Sequence, residues 1–115
     1  MTNKNVGDIN TDRFKFRAWD PEDKQMLYGN VISYHELGFP VMQCTGRKDS
    51  KGNLVYEGDV LADATGEPAY VIKWRKAGFC GASVIGDIAF AIEGDFVGLT
   101  VLGNIYENPE LLGKD

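Results

Sequence analysis

A chain of 115 residues that is 43% hydrophobic and 25% charged fits one soluble globular domain with a core of its own. Its formal charge of -5 is uneven: residues 1–52 carry eight Lys and Arg against seven Asp and Glu, while residues 53–115 carry four against ten. The acidic second half disfavours binding to phosphate backbones. No apolar run reaches the length of a membrane helix, and two cysteines with one histidine make no zinc set.

Fourteen glycines sit singly between short apolar runs, which favours many short strands over long helices. Residues 1–12 are polar and read as a loose N-terminal arm. Met1-Thr2-Asn3-Lys4-Asn5-Val6-Gly7-Asp8 has no apolar stretch of the signal-peptide kind, so Cys44 and Cys80 are expected as reduced, partly buried thiols in a cytoplasmic protein. Residues 13–115 then form a single β domain.

Phe14 to Trp19 alternate apolar and basic residues. Period two places Phe14, Phe16 and Ala18 on one face and Lys15 and Arg17 on the other. Asp20-Pro21 opens a turn, because Pro presets φ and the Asp side chain accepts backbone N–H groups beyond it. Met26-Leu27-Tyr28 returns as the second strand of an N-terminal hairpin. Val31 to Tyr34 fits either a strand or one helical turn, and Gly38-Phe39-Pro40 ends it. Residues 41–45 read as a strand that pairs with 54–57 across Asp49-Ser50-Lys51-Gly52-Asn53, a turn with Asp first and Gly at the closing position.

Gly58-Asp59 re-aims the chain before Val60-Leu61-Ala62. Gly58 is expected at a bulge or turn, with Asp59 accepting from a nearby backbone amide. Tyr70 to Trp74 follows, with Tyr70, Ile72 and Trp74 on one face. The runs 79–85 and 88–92 are apolar; the second fits a strand buried on both faces, or a helix. Residues 98–106 read as the last strand. Asn108 and Pro109 suit the N-cap and first position of a short C-terminal helical turn. The sum is mainly β, with antiparallel strands forming a small SH3-like barrel around 55–106 and the N-terminal hairpin packed on it or completing it.

Four stretches in series carry a resemblance: Lys15-Phe16-Arg17-Ala18-Trp19-Asp20; Met42-Gln43-Cys44-Thr45-Gly46 with Lys48, Asp49 and Gly52; Val55-Tyr56-Glu57-Gly58-Asp59-Val60; and Leu102 to Leu112. In this order and spacing they resemble the YopX family of bacteriophage and prophage proteins, over residues 14–112. The resemblance implies a phage or prophage origin and a β-rich fold with an SH3-like element. It implies no activity, no cofactor and no catalytic residue. Cys44 stands where an aromatic is more usual, and 75–95 is more apolar and Gly-rich than the motifs.

Several residues invite a chemical reading. Glu57, Asp59 and Asp63 could make an acidic site for proton transfer or a divalent cation. The competing reading is a capped turn beside a solvated carboxylate, and it is preferred. Trp19 and Trp74 fit stacking platforms, or more simply core fillers. A His35 dyad with Cys44 or Cys80 has no support in spacing. Arg47, Lys48 and Lys51 form one basic group and Lys73, Arg75 and Lys76 another; they make one patch only if their hairpins adjoin. With Phe79 and Ile85 they define the expected binding surface. The favoured expectation is a non-enzymatic binding module whose partner is a host or phage protein, or a second copy, engaged through 79–92 or an exposed strand edge. A nucleic-acid accessory role and an enzyme built on Glu57 and Asp59 are the alternatives.

Overall fold

The computed structural model describes residues 11–75, 78–84 and 89–113. Among the described residues, nine strands make two antiparallel sheets. The first has the order β2-β1-β3-β4, from β1 (Phe16–Asp20), β2 (Gln25–Tyr28), β3 (Val41–Lys48) and β4 (Leu54–Tyr56). The second has the order β8-β7-β6-β5-β9, from β5 (Asp59–Ala62), β6 (Pro68–Arg75), β7 (Gly78–Ser83), β8 (Ala89–Ala91) and β9 (Thr100–Asn104). Among the described residues, helical content is limited to 3-10 turns at Asp12–Phe14, Ile32–Leu37 and Pro109–Leu112. The architecture is the expected one: mainly β, antiparallel and SH3-like, with an N-terminal hairpin and a C-terminal helical turn.

The N-terminal hairpin closes as its turn residues dictate. Arg17 lies opposite Tyr28 and Asp20 opposite Gln25. The Asp20 carboxylate accepts the N–H groups of Glu22 and Asp23, which holds the chain in the reversal. The hairpin completes the first sheet, because β1 also pairs with β3, Phe16 opposite Gln43 and Ala18 opposite Val41. Residues 32–37 take the helical alternative, and Gly38 ends the turn at φ 84°.

The two sheets are joined at Tyr56-Glu57-Gly58-Asp59. Glu57 N–H donates to the Gln43 carbonyl in the first sheet, and Gly58 N–H donates to the Ile72 carbonyl in the second. The Gly58 carbonyl in turn accepts from Ile105 N–H. Gly58 has φ 91°, which a side chain tolerates poorly, so the glycine is what lets the chain leave one sheet and start the next.

The core forms where the sheets face each other. Val55 from β4 meets Leu61 from β5, Ile72 from β6 and Phe96, and Phe79, Phe90, Ile92, Leu99 and Val101 pack around them. Gly81 makes room here: a Cβ built on it would lie 2.5 Å from the Phe90 ring. The run 88–92 contains strand β8 rather than a helix, because Ala89–Ala91 pairs with β7, Cys80 opposite Ala91.

Two local expectations are corrected, at Trp74 and Asn108. Arg17, which alternation puts on the face opposite Phe16 and Ala18, is only 3% exposed, because β1 sits between two strands and its second face meets the 56–59 turn. Trp74 was preferred as a core residue, yet it is 51% exposed at the end of β6, where it packs edge-on against Phe79. Asn108 precedes the last turn but makes no side-chain cap bond there. Its Oδ1 accepts Asn104 N–H instead, tying that turn to the end of β9.

Candidate functional site

The turn at 56–59 is built on a buried ion pair. Arg17 Nη2 lies 2.8 Å from Asp59 Oδ1 and also donates to the Glu57 carbonyl at 3.1 Å. The Tyr56 N–H donates to Asp59 Oδ2 at 2.7 Å, so the expected local role of Asp59 is present. The guanidinium lies over the Tyr56 ring, 4.7 Å from its centre, and Tyr28 meets that ring edge-on. Arg17 Nε is buried without a hydrogen-bond partner. Burial pushes the Asp59 carboxyl above the ordinary carboxylate range, and Arg17 and the Tyr56 amide pull it back only in part.

Sequence reasoning found Asp59 and missed Arg17. Strand alternation gave only the face that Arg17 shares with Lys15, and no local pattern records a partner 42 positions away.

The three expected acidic residues do not converge. Asp59 is committed to Arg17 and to the Tyr56 amide. Glu57 is half-buried on the other side of Gly58, its carboxylate near Gln43 N–H at 3.4 Å. Asp63 is exposed in the β5–β6 turn, where Thr65 N–H and hydroxyl donate to it and hold its carboxyl below the ordinary value. Among the described residues no group of three His, Cys, Asp or Glu side chains is placed to hold a metal ion.

The basic groups are also apart. Lys48 N–H bonds Asp95 and its carbonyl accepts Phe96 N–H, at the far end of β3. Lys73 lies beside Val41 and Met42, at the near end of β3. A strand of this length separates its ends by about 20 Å at roughly 3.3 Å per residue. Arg47, Lys51 and Arg75 are exposed at their respective ends. Phe79 turns inward, against the core. Lys76 and Ile85 lie outside the described residues. The expected contact stretch 79–92 therefore gives Phe79, Phe90 and Ile92 to the interior.

A cleft lies elsewhere, along the outer side of β6. One cavity of about 200 Å³ is lined by Val41, Met42, Glu57, Gly58, Lys73, Trp74 and Tyr106, among others. A second of about 310 Å³ is lined by Val71, Lys73, Ala82, Ser83, Val84, Ile105 and Leu112. The two share Val71, Lys73 and Ile105 and so adjoin along β6. Trp74 is exposed at one end, and Leu112, 42% exposed, at the other. Trp19 stacks on Tyr106 at 6.1 Å and braces the wall of the first cavity. Desolvation, then the nearby Glu57 charge, raises the Tyr106 phenol above its usual value. His35 borders a different, shallower hollow with Ile32, Ser33, Glu36 and Val41, and neither cysteine lines it. Cys44 and Cys80 are free and buried, and burial pushes the Cys44 thiol up, which keeps it protonated and unreactive.

The fold and the linking turn define a small all-β protein of two antiparallel sheets with an SH3-like half-barrel. A family model described as YopX protein matches residues 29–113, and the chain belongs to that phage- and prophage-associated family. The match begins after the N-terminal hairpin, so Arg17 lies outside it while Asp59 lies inside. Among solved structures the chain is similar to the crystal structure of protein EF1440 from Enterococcus faecalis, with 25% identity and a TM-score of 0.59. That similarity covers 86% of this chain and 97% of the other. No curated protein matches the chain. No helix among the described residues is long and apolar enough to cross a membrane.

Proposed function

We propose that this chain is a phage- or prophage-encoded, non-enzymatic protein-interaction module that works in the bacterial cytoplasm, and that the cleft along β6 is its contact surface. The observation that carries the reading is the exposed Trp74 at the mouth of a cleft with apolar walls. Large aromatic side chains at the edge of a pocket are the residues that contribute most to protein–protein affinity. The use of Asp59 supports the non-enzymatic part, since a carboxylate bonded to a buried guanidinium and a backbone amide is not free to exchange protons with a substrate. The partner is a host or phage protein, or a second copy of this chain.

Immobilised wild-type protein and a Trp74→Ala variant, both checked for folding by circular dichroism, are exposed side by side to host lysate. The expected result is a protein retained by the wild type and lost by the variant, with the interaction reproduced from purified components. Equal retention by both would move the contact surface away from the cleft. Light scattering at high concentration reports whether the second copy is the partner. The nucleic-acid alternative is answered by fluorescence anisotropy at about 50 mM salt, where backbone electrostatics are strongest. With the basic groups at opposite ends of β3, no binding is expected.

A further inference from the structure

We propose that β2 is a self-pairing edge: two copies of the chain join by laying their β2 strands side by side and antiparallel, so that two four-stranded sheets become one of eight strands. β2 is the outermost strand of the first sheet. Its inner side pairs with β1 in unbroken register, from Arg17 opposite Tyr28 to Asp20 opposite Gln25. Its outer side is open: among the described residues, no turn, loop or side chain outside the sheet hydrogen-bonds to Gln25, Met26, Leu27 or Tyr28. β9, an outer strand of the second sheet, is covered instead. Asp49 Oδ2 accepts its Val101 N–H, and Ser50 N–H and hydroxyl both donate to the Leu99 carbonyl just before it. An open edge carries unpaired N–H and C=O groups, and their occupant is another extended strand. The usual protections against such pairing are missing from β2: Gln25–Tyr28 holds no charge, no proline and no bulge.

The strand's own sequence selects a second copy as the occupant. In a two-fold antiparallel pair, opposed residues share a face of the sheet, so the axis must pass beside a residue rather than between two. An axis at Leu27 sets Leu27 against the partner's Leu27, and Met26 against the partner's Tyr28 on both sides. Each match is apolar, and methionine packs well on an aromatic ring. An axis at Met26 opposes Gln25 to Leu27 and Lys24 to Tyr28. An axis nearer the turn sets Asp23 and Lys24 against apolar residues or against their own copies. An axis at Tyr28 draws in Gly29, which leaves the strand at φ 100°. The register centred on Leu27 therefore matches apolar to apolar with no like charges opposed. These side chains have surface left to cover: Met26 and Leu27 are half-buried, and Tyr28 is 59% exposed although its ring meets Tyr56 edge-on. A foreign strand meets the same backbone groups but has no reason to match these side chains, whereas a second copy always does. No residue of β2 lines the cavities along β6, so this contact is separate from the cleft.

The test exchanges charges across the axis. Leu27→Lys and Leu27→Glu each oppose like charges in a self-pair, and opposite charges when the two variants are mixed. Wild type, each variant and their equal mixture are followed by light scattering over a concentration series, with circular dichroism reporting the fold. The wild-type mass is expected to double as concentration rises. Each variant alone is expected to stay at the monomer mass, and the mixture to double again. A wild type that stays monomeric at its highest soluble concentration, variants that dimerise as the wild type does, or a mixture of folded variants that stays monomeric would each overturn the inference. If either variant fails to fold, amide exchange in the wild type decides: it is expected to slow at β2 as concentration rises and to stay unchanged at β9. No slowing at β2 would overturn the inference. Trp74→Ala is expected to leave the doubling intact. A dimer lost in Trp74→Ala and kept in the Leu27 variants would seat the second copy in the cleft, which supports the interaction reading and rules out β2.

Discussion

Two buried aspartates, Asp49 and Asp59, each close a turn in the middle of the chain, and they are neutralised in different ways. Asp49 is satisfied by neutral donors. Its carboxylate accepts from Lys51 N–H, Asn53 N–H and Asn53 Nδ2, and from Val101 N–H across the molecule at 2.9 Å. Asp59 accepts one amide and faces a full positive charge on Arg17. The first arrangement is local, apart from the bond to Val101, and it docks the β3–β4 turn onto β9. The second joins two distant segments, β1 and the turn that links the sheets. Amide donors stabilise a carboxylate with no charge to desolvate on the other side. A buried ion pair carries two desolvation costs, and its attraction offsets them only while both partners remain.

Removing one partner of the ion pair has the largest expected effect. Asp59→Ala is expected to destabilise the fold by about 3–5 kcal/mol, because it strands the Arg17 charge in the interior. Urea unfolding at neutral pH measures this. Arg17→Met combined with Asp59→Leu is expected to recover most of the loss, since apolar replacements remove both desolvation costs. A double variant no better than the single would mean that the pair carries stability of its own.

Asp49→Ala comes next, at about 1–3 kcal/mol, because the Val101 and Asn53 N–H groups lose their acceptor. Hydrogen exchange is expected to speed up at Val101 and at the turn, but not at Tyr56. A uniform rise would show that the two turns are not independent. Gly58→Ala tests the linking turn without touching either carboxylate. Its cost is about 1–3 kcal/mol for a side chain held at φ 91°. Its Cβ also approaches Met42 Sδ at 3.3 Å, which a flexible methionine can relieve.

The smallest effect is in pH dependence, and its sign differs between the two sites. Desolvation pushes the Asp49 carboxyl up, but the Val101, Asn53 and Lys51 donors outweigh it, so its folded pKa lies below the ordinary value. Asp49 therefore stabilises the fold above the ordinary carboxylate range, and this is lost as pH falls through the lowered folded value. Asp59 is raised by burial, so its contribution is full below the ordinary range and is lost as pH rises through the raised folded value. Melting temperatures across the acid range are expected to fall less steeply on acidification for Asp49→Asn than for the wild type. Asp59→Asn is expected to remove a term of opposite sign. Parallel curves for both variants would remove the distinction between the two sites.

Much of the fold was legible because it rests on local chemistry. The Asp20-Pro21 reversal, the Asp49–Asn53 turn and the Gly58 bend each depend on residues within a few positions, and the side chains named for them make the expected bonds. Strand alternation put Tyr70 and Ile72 on one face, and there Tyr70 meets Phe90 and Ile72 joins Leu61 and Val55. Alternation could not give the exposure of Trp74 or the burial of Arg17, because it reports which residues share a face, not what covers that face.

Residue order alone is enough to class the protein as a small antiparallel β chain of the YopX family, with its turns at the glycines and aspartates that force them. Which charges are buried and where the cleft lies depend on how the strands pack in space. Arg17 finds Asp59 through the packing of one sheet on the other, and the two basic groups stay apart because they lie at opposite ends of β3. Such distances depend on how strands are ordered in space, and a residue's near neighbours in the chain carry no record of that order. The 56–59 turn joins both levels. Gly58 and Asp59 announce a bend in the sequence, and the second sheet makes that bend the joint of the molecule.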